Sequence, residues 1–473
     1  MIALSLAEIA EIVGGQSYDI PDPAALVTGP VVIDSREVKT GSLFAAFAGE
    51  HVDGHDYAVR AVEAGATAVL AARPVGVPAI VVADVQNALG ALARAVVERL
   101  GTDVVALTGS AGKTSTKDLI AQVLQHHAPT VWTPGSLNNE IGLPLTALRA
   151  GDDTRHLVLE MGARGIGHIR YLTGLTPPRI GLVLNVGTAH IGEFGGREQI
   201  AQAKGELVEA LPPADRGGVA VLNADDPLVR AMASRTRARV TLFGESDEAA
   251  VRAENVRLTA NGQPSFKLHT PTGCSDVTLR LYGEHHVSNA LAAAAVAHEL
   301  GMPVEEIATA LSEAGTLSRW RMEVTERSDG VTIVNDAYNA NPDSMRAALD
   351  AVAAMHVAGE RWAVLGGMLE LGPDSDAEHA AVGSYAASLA FDHVVAVGEG
   401  ARPLAEAFAG SEWVPDTAAA HDLLAPRLRA GDVVLLKSSR DSGLRWLGDR
   451  LAAEGGPVTA TPVSTTSGEA VTR

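Results

Sequence analysis

The sequence predicts an α/β protein built as three successive units, on three observations. Short β-branched and apolar runs recur with amphipathic stretches between them, which is how helix-covered parallel sheets read. That alternation occurs twice, with a more β-like insertion at Arg239–Leu281 late in the first series. The 473 residues suffice for two to four domains of roughly 100–200 residues each.

The first unit is expected over residues 1–102, with strands at Ala66–Ala71 and Ala79–Val82 and helices at Tyr57–Ala64 and Ala88–Leu100. The second, 103–315, opens with the β-branched run Val104–Thr108, then Gly-Ser-Ala-Gly and an amphipathic stretch at Thr114–His126. Strands follow at His156–Leu159, Ile180–Leu184 and Val219–Leu222, and a helix at Val287–Leu300 closes the unit. The third, 316–454, has strands at Val331–Val334, Trp362–Leu365, His393–Val397 and Val433–Leu436, and reads as a small doubly wound, Rossmann-like sheet. The tail, 455–473, is rich in Thr, Ser, Pro and Gly and is expected to be disordered.

Composition narrows the function. A formal charge of −20 argues against wrapping nucleic acid or lying on an anionic membrane. A phosphorylated ligand would therefore need a local positive site. No apolar run approaches the roughly 18 residues of a membrane span. The N-terminal MIALSLAEIAEIVGG has no basic start, so it does not read as a signal peptide. The single cysteine, Cys274, excludes an internal disulfide and suits a reducing cytoplasm. Its setting, Pro-Thr-Gly-Cys, reads as a turn and not as a catalytic thiol.

The most informative motif is Thr108-Gly109-Ser110-Ala111-Gly112-Lys113-Thr114-Ser115, between a strand and a helix. Glycines let backbone N–H groups face a phosphate, the helix N-terminus adds its dipole, and Lys113 adds a point charge. Thr114 is placed to set its hydroxyl on Mg²⁺. The usual phosphate-loop pattern wants glycine five residues before Gly112, where Leu107 stands, so the motif is not a strict Walker A.

Lys204 stands out by spacing alone. Ile200, Leu207 and Leu211 form an apolar stripe on one helix, and Lys204 falls on the same face. A lysine there needs a partner, or must snorkel to solvent.

Several runs together resemble the Mur ligase family. They are TGSAGKTSTK at Thr108–Lys117, Leu-Glu-Met-Gly around Glu160, and NVGTAH ending in His190. AQAKGE around Lys204, HHVSNA around His286 and Asn289, and NDAYNANP at Asn335–Pro342 continue the series. NNEIG at Asn138–Gly142, MLELG at Met368–Gly372 and KSSR at Lys437–Arg440 point to the members that join D-alanyl-D-alanine to UDP-N-acetylmuramoyl-tripeptide. Asp34-Ser35-Arg36 and the run Gly49–His55 resemble the family's UDP-sugar-binding unit. Asn335, Gly367 and Ser438 depart from the family pattern of Asp, Asp and Gly at those points.

The resemblance implies an ATP- and Mg²⁺-dependent amide ligase acting through an acyl phosphate. It implies ATP contacts at Gly109, Ser110, Ala111, Gly112, Lys113, Thr114, Ser115, Asn289, Arg321 and Asp336. It implies metal-holding and catalytic roles for Glu160, His190 and Lys204 beside Thr114 and Lys113, with Lys204 carbamylated. Substrate contacts are expected from Ser35, Arg36, Asn138, Asn139, Tyr338, Asn339 and Asn341. The expected partners are small molecules only, on a cytoplasmic monomer. A sibling ligase adding one amino acid, a folylpolyglutamate synthetase, a phosphate-loop kinase and a non-enzymatic nucleotide-binding regulator remain as alternatives.

Overall fold

The structure, a computed structural model, describes residues 1–49, 51–188 and 191–454. The segment 455–473, expected to be disordered, and His190 lie outside the described residues. Three principal sheets follow one another along the chain. The first has five strands, in the order Gln16–Tyr18, Ala79–Val81, Ala68–Ala71, Leu43–Ala45 and Val31–Val32. All its pairings are parallel except that of Gln16–Tyr18. A small antiparallel pair, Leu4–Ser5 with Leu26–Val27, lies beside it.

Nine strands form the second sheet. Within it, Asp103–Thr108 is third from one edge, flanked by His156–Glu160 on one side and Ile180–Val183 on the other. The chain thus reverses its direction of winding at Asp103–Thr108, and ligand sites in open α/β sheets form at such switch points. The β-like stretch at Arg239–Leu281 is no separate insertion. Arg239–Gly244 pairs in parallel with Val219–Asn223, and three further strands, mutually antiparallel, extend the same sheet to Gly273–Thr278. Alternation of buried and half-exposed residues along Pro264–Thr270 explains its β-like reading. Cys274 lies exposed in the last of these strands, not in a turn.

The third sheet has six strands, in the order Glu323–Glu326, Thr332–Asp336, Val433–Lys437, Arg361–Gly366, His393–Val397 and Glu412–Val414. Its two edge strands were not legible in the sequence. Both are short and only half-buried, so neither carries a continuous apolar run. The four inner strands are buried along nearly their whole length, which matches a parallel sheet covered on both faces.

No helix among the described residues is long and apolar enough to cross a membrane.

Candidate active site

A cavity of about 860 Å³ opens where the C-terminal strand ends of the second and third sheets face each other. Its lining carries Lys113, Arg164, Lys204, Arg321, Lys437 and Arg440 against Glu160, Asp336 and Asp343. Cations therefore outnumber acids in a chain that is strongly acidic overall.

The phosphate loop follows the strand Asp103–Thr108 and leads into the helix Lys113–Gln125. Gly112 holds φ +77°, and a Cβ there would sit 2.7 Å from Asn289 Oδ1, so this turn requires glycine. Lys113 Nζ donates to the Gly109 carbonyl at 2.7 Å, folding the side chain back over its own loop. Burial lowers its pKa from the usual lysine value, with the Glu160 charge opposing and Arg321 reinforcing the shift.

One residue behind the loop escaped the sequence reading of the site. Asn185 Oδ1 accepts the amides of Ser110 and Ala111, both at 2.9 Å, and its Nδ2 donates to the Ala111 carbonyl at 3.2 Å. Asn185 follows the apolar run Ile180–Leu184 and opens the NVGTAH run, so its signals were a polar amide just past a buried strand end and its place in that run. Its clamp leaves the following amides, at the helix N-terminus, to face a phosphate.

Glu160 is the last residue of its strand and only 1% exposed. Its Oε1 accepts from Asn138 Nδ2 at 2.7 Å, while Oε2 has no hydrogen-bond partner among the described residues. A buried, unpaired carboxylate oxygen is costly and calls for a cation. With the hydroxyl of Thr114 on the same cavity wall, the donors are hard oxygens of the kind Mg²⁺ takes. Among the described residues no group of three or more His, Cys, Asp or Glu could hold a metal. Beside Glu160 and Thr114, a metal held by the described residues would draw on ligand oxygens or on groups added to the chain.

Lys204 is 5% exposed, on the helix Arg197–Glu209, with Ile200 and Leu207 fully buried on the same stripe. No acceptor for its ammonium occurs among the described residues, and burial, with the Lys113 charge second, lowers its pKa well below the ordinary value. It is not the only buried charge of this helix. Glu206, 2% exposed, accepts the amides of Gly167 at 2.6 Å and Arg170 at 3.0 Å. That cap satisfies the start of the helix His168–Leu175 and fixes the helix that carries Lys204.

The opposite wall belongs to the third unit. Arg321 lies between Trp320 and Met322, both in the left-handed region at φ +59° and +49°. Non-glycine residues are strained there. The kink turns Arg321 toward the phosphate loop, where Nη2 lies 3.4 Å from Thr114 Oγ1. The guanidinium also sits 4.4 Å from the Tyr338 ring centroid. The Tyr338 hydroxyl hydrogen-bonds Ser136 across the cleft. Asp336 and Lys437 end adjacent strands in register, with Lys437 Nζ 2.7 Å from Asp336 Oδ2. Lys437 also donates to the carbonyls of Asp336 at 3.2 Å and Asn339 at 2.8 Å.

Most of the sequence-predicted residues thus line one cavity, but some have their polar atoms engaged locally. Asn289 Oδ1 accepts from Thr116 Oγ1 at 3.1 Å behind the loop. Beside it the rings of His285 and His286 lie 4.2 Å apart and tilted, and burial lowers both pKa values, that of His285 to about 4. Asn139 Oδ1 accepts the Gly142 amide at 2.8 Å, and Asn341 caps the helix Pro342–Ala353 through the Ser344 amide. Asn339 contributes its carbonyl to Lys437.

Ser35 and Arg36 do not join the cavity. They form a short helical turn in the first unit, where Arg36 pairs with Asp34 and holds that carboxyl down to about 2. Asn335, one of the departures from the family pattern, points away from the cleft and donates to the Arg445 carbonyl at 2.9 Å.

Three family models match the chain: "Mur ligase family, catalytic domain" at residues 30–101, "Mur ligase middle domain" at 107–297 and "Mur ligase, glutamate ligase domain" at 320–440. The chain belongs to the Mur ligase family. Within it, a Mycobacterium tuberculosis protein named UDP-N-acetylmuramoyl-tripeptide–D-alanyl-D-alanine ligase is 48% identical, over 96% of this chain and 98% of its own. The Escherichia coli protein of the same name is 35% identical over 94% and 97%. A crystal structure of MurF from Acinetobacter baumannii superposes with a TM-score of 0.86 at 32% identity, covering 95% of this chain and 99% of that one. MurF from Thermotoga maritima, solved in complex with ADP, gives 0.79 at 30% identity, covering 90% and 98%.

Proposed function

We propose that this chain joins D-alanyl-D-alanine to UDP-N-acetylmuramoyl-tripeptide, converting ATP to ADP and phosphate and making a peptidoglycan precursor. One observation carries the reading furthest. The phosphate loop, the free oxygen of Glu160 and the unpaired amine of Lys204 share a cavity whose far wall presents Arg321 and Tyr338.

A carboxylate anion is a poor electrophile, so the tripeptide's terminal carboxylate must first be phosphorylated. Its oxygen attacks the γ-phosphorus of ATP, ADP leaves, and an acyl phosphate forms. The neutral amine of the dipeptide then attacks the acyl carbon, phosphate leaves with the bonding pair, and the amine proton is released. No enzyme nucleophile is needed, so catalysis rests on positioning and charge neutralisation.

Lys113 and Arg321 neutralise the transferring phosphoryl group from two walls. The loop Gly109–Ser115 cradles the phosphates, and Asn289 and Asp336 face the nucleoside. Thr114 and Glu160 would hold Mg²⁺, which offsets charge on the phosphate oxygens. His190 is assigned a second metal contact on the family resemblance alone. Asn138 orients Glu160, and Asn139, Asn339 and Asn341 shape the walls around the peptide. Ser35 and Arg36 are assigned to the uridine nucleotide, away from the reacting atoms. Nucleotide-linked substrates suit the cytoplasm.

Lys204 has the chemistry of a carbamate. Its depressed pKa favours the free amine. That amine adds CO₂ and loses a proton, giving an anion. The Lys113 charge, which repels an ammonium, favours this anion. Formate should restore part of the rate to Lys204→Ala, and depletion of bicarbonate should slow the wild type. If neither changes the rate, Lys204 is an ordinary amine.

The central test is ADP release with UDP-N-acetylmuramoyl-tripeptide, with and without D-alanyl-D-alanine. Dipeptide-dependent turnover is expected. A stable phosphorylated product formed without any amine would instead make the protein a kinase.

A further inference from the structure

The cations of the cavity are unequally engaged. Lys113 bonds its own loop, Arg321 reaches Thr114, and Lys437 is closed off by Asp336 and two carbonyls. Among the described residues no hydrogen-bond acceptor or carboxylate engages the guanidinium of Arg440, and that of Arg164 is equally free. Arg164 follows the strand of Glu160 and stands on the wall of the second unit. Arg440 stands on the wall of the third.

The geometry points to Arg440 as the anchor for the C-terminal carboxylate of the incoming dipeptide. This rests on the ligase reading above. A dipeptide enters as a zwitterion, and its amine must end at the acyl phosphate, beside Lys113 and Thr114. Its carboxylate must then lie at the far end, away from the phosphates that would repel it, and needs a cation there. Arg440 is the free cation on that side, and its planar fork suits a carboxylate bidentately.

The fold sets this position before any ligand arrives. Tyr338 and Arg440 leave the ends of adjacent parallel strands that pair Asp336 with Lys437. Arg445 Nη1 donates to the Arg440 carbonyl at 3.1 Å and pins the backbone, leaving the side chain exposed over the Tyr338 ring at 5.9 Å. The hydroxyl of that tyrosine hydrogen-bonds Ser136, on the loop whose Asn138 holds Glu160. An extended dipeptide is roughly 7 Å long. Laid along the ring, it has its carboxylate at Arg440 and its amine toward Ser136 and the phosphate loop.

The test pairs a change in the enzyme with a change in the substrate. Wild type and Arg440→Gln are assayed with D-alanyl-D-alanine and with its C-terminal carboxamide. Wild type should show a KM for the carboxamide roughly 10- to 100-fold above that for the acid, the range of a charge-assisted hydrogen-bonded pair. Arg440→Gln should raise the KM for the acid by a similar factor and treat acid and amide alike. Its KM for ATP and for the UDP-tripeptide should stay at the wild-type values, which a collapsed site would not allow. Arg440→Lys should recover part of the discrimination and serves as the second variant if glutamine prevents folding. Arg440 is excluded if Arg440→Gln still discriminates by the wild-type factor, if wild type never discriminates, or if Arg164→Gln is the change that abolishes discrimination. Wild type without dipeptide-dependent turnover would remove the ligase reading itself, and this assignment with it.

Discussion

The second sheet ends its strand His156–Glu160 in a buried carboxylate, and the third ends Thr332–Asp336 in another. A buried lysine accompanies each, Lys204 in the first case and Lys437 in the second. The two sets are treated oppositely. Asp336 and Lys437 are joined at 2.7 Å, and carbonyls take further protons of the ammonium. Among the described residues, one oxygen of Glu160 has no partner and Lys204 has no acceptor. Buried charges that satisfy each other hold the strand ends in place, whereas those left unsatisfied are held ready for the charged groups of a ligand. The same topological position, the C-terminal end of a parallel strand, serves both ends because the surrounding loops decide what reaches it.

The comparison breaks most visibly at its paired member. Lys437→Met strands Asp336 in a buried site and should cost about 3–5 kcal/mol of stability in urea unfolding. A loss below about 1 kcal/mol would mean that the pair holds nothing together. On the unsatisfied side, Lys113→Ala should leave the fold intact and lower kcat by about 10²–10³-fold, as for other lost charge-stabilising donors. Near-normal turnover in that variant would remove the phosphate loop from the chemistry.

Lys204→Met sharpens the contrast, because it should destroy activity yet stabilise the fold by about 1–3 kcal/mol in CO₂-free buffer at neutral pH. The sign follows from linkage. Burial depresses the folded pKa below 10.5, so between those two values the unfolded chain binds more protons and wild-type stability rises with pH. The methionine variant lacks that contribution, so its advantage should shrink as pH climbs toward 10.5. An advantage that is independent of pH would show that Lys204 is not titrating differently in the fold. The smallest expected effect is that of Tyr338→Phe, which removes the hydroxyl contact to Ser136 across the cleft. A loss of about 0.5–1.5 kcal/mol, read as a several-fold fall in kcat/KM, is expected.

Much of this was legible in the residues themselves. Glycines around Lys113, a strand before them and a helix after them define a phosphate loop by local geometry alone, since glycine conformation and helix dipoles need no tertiary partner. Lys204 was legible from helical periodicity, a local property too. The paired runs of strand and helix announced the sheets, because buried parallel strands must be apolar throughout.

Other features depended on contacts between distant parts of the chain. Asn185 reaches the phosphate loop from 74 residues away, and Tyr338 meets Ser136 across 202. Glu206 reads as an ordinary surface glutamate until the helix His168–Leu175 brings its free amides there. Asn341 and Asn139, singled out as substrate contacts, carry local caps as well, because a short amide bonds the nearest free N–H. By itself the sequence determined which residues carry charge, glycine freedom and apolar faces, because those are properties of single residues and of their spacing. Only the tertiary structure decided which charges are satisfied. Pairing requires a partner within about 3 Å, and for Glu160, Lys204 and Lys437 that depends on which strand ends and helices the fold brings together.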